Sequence, residues 1–147
     1  MNLAFSIGDI LYFKTYCFTD KGTNAPHFGL VLLGDGLTKF KNSILCCVIT
    51  SKEPNVKKWC LILKCDSYKC FKVDSYACFD RKDLQSVGDL DRGRQQPQGH
   101  LNRGDLKRAF KILKNSLFNI NDWASKPFLK GAIIREWKKA LGSTGIR

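Results

Sequence analysis

The stretch Ile44–Pro54, ILCCVITSKEP, decides how the chain is read. Six apolar residues run from Ile44 to Ile49, the signature of a short buried strand. Thr50, Ser51 and Lys52 follow with no glycine or asparagine to turn the chain. Hydroxyl residues are common at solvated strand ends, and that reading accounts for the stretch. A second reading gives the ending a purpose. A strand end fixes two hydroxyls and an amine in space better than a loop tip does, as an anion-binding site requires.

Working outward, strand signals fill the first half of the chain. GDILYFKTY, Gly8 to Tyr16, is aromatic and β-branched, with Ile10, Tyr12 and Lys14 alternating against Leu11 and Phe13. The turn-rich FTDKGTNAP leads to a strand at His27–Leu33, and a GDG turn at Gly34–Gly36 follows. WCLILK, Trp59 to Lys64, and two short strands near Lys69–Val73 and Ser75–Phe79 complete the set. Short strands at this spacing predict a small barrel or sandwich, not β-α-β units. Gly88–Gly104 is polar and reads as a mobile loop. A helix follows, capped by Asn102, with Leu106, Ala109, Phe110, Leu113 and Leu117 in one apolar stripe and lysines opposite. A last helix starts near Pro127, with Ser125 as its candidate cap, and carries Ile133, Ile134, Trp137 and Leu141. The fold class is therefore mainly β with C-terminal helices.

With 147 residues the chain suits one domain. Twenty-five Lys and Arg against 13 Asp and Glu leave a net charge of +12, which favours polyanionic partners. No apolar run approaches the roughly 20 residues of a bilayer helix, and the start lacks a basic leader. A cytoplasmic location is expected, with no membrane partner. Seven cysteines without an export signal read as reduced thiols. They offer no C-x-x-C pair and the chain has only two histidines, so no metal is expected.

These strings, taken in order, resemble the PemK/MazF-like family of toxin ribonucleases. GDILYFKTY is similar to the family's opening G-D-I strand, and FGLVLL followed by ILCCVITSK to its second and third strands, ending in I-T-S. VDSYACFDRKDLQSVG and LKRAFKILKNSL resemble the closing strand and C-terminal helix. The resemblance covers roughly residues 5–118 and looks like a divergent branch. It implies a small SH3-like barrel with its packing helix over 1–118. The helical extension at 119–147 lies in the same domain or is appended to it. It also implies metal-independent cleavage of single-stranded RNA with no cofactor, an acidic antitoxin partner, and the homodimer common in the family.

Cleavage by the ribose 2′-hydroxyl needs a base, an acid for the leaving 5′-oxygen, and donors for the phosphorane charge. The resemblance carries Thr50 and Ser51 over as phosphate-binding hydroxyls. The family's second-strand arginine falls on His27. Histidine can take a proton at neutral pH but lacks the guanidinium's permanent charge. A histidine at a loop–strand junction is also an ordinary hydrogen-bonding residue, and both readings stand. Lys52, Lys14 and Arg81 are candidates for RNA binding by charge, and Ser75 and Tyr76 for polar contact and base stacking. Arg92, Arg94 and His100 in the polar loop are further candidates, each equally readable as solvated surface. Two other functions fit the same barrel: a non-catalytic RNA- or DNA-binding module, and a protein inhibitor of the gyrase-directed kind.

Overall fold

A computed structural model describes residues 5–18, 24–34, 38, 42–120 and 127–144. Six strands, β1 (Asp9–Cys17), β2 (Asn24–Leu33), β3 (Ser43–Thr50), β4 (Cys60–Leu63), β5 (Ser75–Ser86) and β6 (Gly99–His100), precede two helices, α1 (Arg103–Asn119) and α2 (Pro127–Thr144). The strands form one curled antiparallel sheet in the order β4-β5-β3-β2-β1-β6.

The central strand explains the architecture. β3 is buried from Ile44 to Ile49, and its side chains alternate between two cores. Leu45, Cys47 and Ile49 join the core beneath the helices, with Leu113, Ile133 and Trp137. Ile44, Cys46 and Val48 join the core inside the curl, with Phe13, Tyr16 and Leu90. A strand covered on both faces has no polar side, so its sequence is a continuous apolar run. The α2 helix is part of the first core: Trp137 Nε1 donates to the Leu32 carbonyl at 2.8 Å.

Asn102 caps α1 as expected, its side chain accepting from Asp105 N at 2.8 Å. Ser125, and Asp35 and Gly36 of the GDG turn, lie outside the described residues. The expected strand at Lys69–Val73 is instead a run of turns and bends anchored by buried Tyr68 and Phe71. In compensation, β5 is a strand of twelve residues, continuing through the charged Asp80–Asp83 where the sequence pattern had ended it at Phe79. Buried Gln85 ties that continuation to β1: its Oε1 accepts from Cys17 N and its Nε2 donates to Cys17 O, both at 2.8 Å. The Gly88–Gly104 segment is likewise tied to β1, through Gln96 Nε2 to the Tyr12 carbonyl at 2.9 Å and Gln98 N to the Ile10 carbonyl at 2.7 Å.

One irregularity shapes the surface. Between β3 and β5 the pairing jumps from Cys47↔Lys82 to Ile49↔Ala77, leaving Cys78–Arg81 bulged away from β3. Such a bulge bends its strand and re-aims its side chains. Here it opens a cleft beside the end of β3.

Candidate functional site

β2 and β3 pair through Phe28↔Ile49, which brings His27 and Thr50 to the same end of the sheet. Clefts lie on either side of them, and both residues line both. The first cleft, about 550 Å³, is walled by Phe18, Lys52, Cys78, Asp80 and Arg81. The second, about 530 Å³, is walled by Tyr12, Phe28, Ser51, Phe71, Ser75 and Arg94.

The His27 ring stands edge-on to Phe18 at 5.2 Å and to Tyr16 at 6.2 Å. Partial burial among these rings lowers its pKa from the ordinary 6.5; a hydrogen bond to the Ile49 carbonyl opposes this, and the Arg81 charge adds to the lowering. His27 is therefore neutral at pH 7, as a proton acceptor must be. Thr50 Oγ1 accepts from Lys52 N at 3.1 Å, a turn that fixes the hydroxyl at the strand end and leaves its proton to donate.

Of the cations singled out from the sequence, Arg81 and Lys52 enter the first cleft and Arg94 the second. Arg81 lies over the Phe18 ring at 5.2 Å; Arg94 lies over Tyr12 at 4.0 Å and pairs with Asp91 at 3.3 Å. Ser75 lines the second cleft, but it is buried and donates to the Val73 carbonyl at 3.2 Å. Lys14, Tyr76 and Arg92 are not among the residues lining either cleft. Tyr76 instead stands opposite Thr50 in the β3–β5 pairing. His100 is far along the chain's other edge strand, its Nδ1 2.7 Å from Asp9 Oδ1.

Sequence reasoning missed the aromatic wall of Tyr12, Phe28 and Phe71, whose rings meet edge to face at 4.8 and 5.0 Å. It also missed the carboxylates of Glu53 and Asp80 in the first cleft. Glu53 is held by an ion pair with Lys57. The aromatic signal is present in β1, where Tyr12 alternates on one face with Ile10 and Lys14. Nothing local marks Asp80, which reaches the cleft through the bulge.

No family model matches the sequence, and no match is found among curated proteins. The coordinates do match solved structures, including the Mycobacterium tuberculosis toxin MazF-mt6, with a TM-score of 0.56 and 15% identity over 78% of this chain and 99% of that one. The fold is MazF-like. At that identity the likeness extends to the architecture, while the side chains at the clefts are this chain's own. His27, three residues into β2 and not at its start as the sequence suggests, lies beside Thr50, the last residue of β3.

Proposed function

We propose that this chain is a toxin endoribonuclease that cleaves single-stranded RNA by metal-independent transphosphorylation, the toxin of a toxin–antitoxin pair. The observation that carries the reading is the shared rim. A histidine neutral at pH 7 and a strand-end hydroxyl flank two clefts that combine cations with half-buried aromatic rings. Neutral His27 takes the proton of the ribose 2′-hydroxyl, the oxygen attacks the adjacent phosphorus, and the 5′-oxygen departs. Thr50 and Ser51 donate to the non-bridging oxygens while Arg81 and Lys52 supply positive charge. The protonated imidazole can return its proton to the leaving oxygen. Half-buried Tyr12 and Phe28, backed by buried Phe71, offer a wall on which a neighbouring base stacks.

In this reading the chain is a divergent PemK/MazF-like protein in which His27 replaces the family's arginine and Arg81 provides the guanidinium from another strand. A net charge of +12 suits an acidic antitoxin segment, and a cytoplasmic homodimer fits the family habit. Purified protein with end-labelled mixed-sequence RNA in excess chelator tests the proposal. Products ending in 2′,3′-cyclic phosphate are expected, and Thr50→Ala slows their formation. Intact RNA after prolonged incubation contradicts it.

One observation favours a second reading, a binding module without catalysis: the Thr50 oxygen already accepts the Lys52 amide. That module retains RNA at low salt, releases it steeply as salt rises, and leaves it uncut.

A further inference from the structure

The bulge of β5 assembles a second set of reactive groups that ribonuclease chemistry does not use. Cys60 and Cys78 are direct partners across the β4–β5 pairing, and their Sγ atoms lie 3.6 Å apart. Asp80 follows Cys78 by two residues, so the strand's alternation returns its side chain to the same face. The two sulfurs and a carboxylate oxygen of Asp80 all lie within 4.8 Å of one another. They are the only such trio of metal-ligating side chains among the described residues.

We propose that Cys60, Cys78 and Asp80 form a binding site for a thiophilic divalent cation, with zinc the fitting ion. Two thiolates bound to zinc at about 2.3 Å in a tetrahedron stand roughly 3.8 Å apart, close to the separation seen here. A disulfide needs the same atoms at about 2.0 Å, a further approach of more than 1 Å. The donor set also selects the ion: two soft sulfurs and one carboxylate suit zinc, whereas magnesium and calcium prefer oxygen alone. Three protein ligands leave a fourth position for a solvent oxygen. Cys78 and Asp80 line the first cleft, so that position is reachable from solvent. On binding, both thiols release their protons to solvent and the cation takes over the charge. Spacing along the chain hides the site, because the two cysteines stand 18 positions apart and only strand pairing joins them.

Metal binding is independent of RNA cleavage, and the test reads it directly. Reduced, metal-free protein is titrated with Co²⁺ under anaerobic conditions in a non-thiol reductant, followed by Zn²⁺. One equivalent of Co²⁺ should give tetrahedral visible bands with thiolate charge transfer in the near ultraviolet, and Zn²⁺ should bleach them. Cys60→Ser and Cys78→Ser should abolish the charge transfer, while Cys17→Ser keeps it. Asp80→Asn, which spares the packed sulfurs, should weaken Co²⁺ about tenfold or more. Unchanged spectra in both serine variants overturn the site, as does reduced wild-type protein that binds no Co²⁺ and only cross-links Cys60 to Cys78 under peroxide.

Discussion

His27 concentrates the chemistry in one side chain, and its surroundings determine its protonation. Burial beside Phe18 and Tyr16 disfavours the imidazolium, and Arg81 disfavours it further. The folded protein therefore binds this proton less readily than the unfolded chain does. Stability from this group is complete above pH 6.5 and is lost as pH falls from 6.5 through the lower folded value. Replacing His27 with Gln should flatten that part of the stability–pH curve, measured by urea unfolding at several pH values. At the same scale, Gly8 holds a φ of +91°, and a Cβ there would lie 2.9 Å from Leu106 Cδ2. Gly8→Ala is expected to lower the unfolding midpoint, with a cost of roughly 1–3 kcal/mol from backbone strain alone.

Among the elements, β5 determines how the clefts are built. Its C-terminal end is locked to β1 by Gln85, which is fully buried and clamps both backbone groups of Cys17. Gln85→Leu removes both of these hydrogen bonds, and a loss of about 1–3 kcal/mol is expected in denaturant unfolding. For α1, Asn102→Ala removes the cap and should cost about 1 kcal/mol by the same measurement. The cap, the apolar stripe and the buried run of β3 were legible because each is a local pattern with its own period. The far half of β5 was not. The strand pattern stops at Phe79, and only partners distant in sequence carry the strand on through Asp80, Arg81, Lys82 and Asp83. The same holds for the candidate site. Thr50 and Ser51 announce themselves at the end of an apolar run, whereas Asp80 and Phe71 arrive by bulge and turn.

For the molecule as a whole, charge and curvature work together. The curled sheet carries two adjoining clefts, and 25 basic residues against 13 acidic ones give the molecule a net charge of +12 that attracts polyanions. Association with single-stranded RNA should therefore weaken with salt, with a log–log slope near −0.7 for each phosphate neutralised and about three or four phosphates engaged. Arg94→Ala should reduce that slope by roughly one phosphate without abolishing cleavage. The central claim, that a neutral His27 performs the proton transfer, is met most directly by the pH profile of single-turnover RNA cleavage in chelator. Wild-type protein should show an acidic limb with its midpoint below 6.5, and His27→Gln should lose that limb together with about 10²-fold or more of the rate. A variant that cuts at the wild-type rate with the same acidic limb would contradict it.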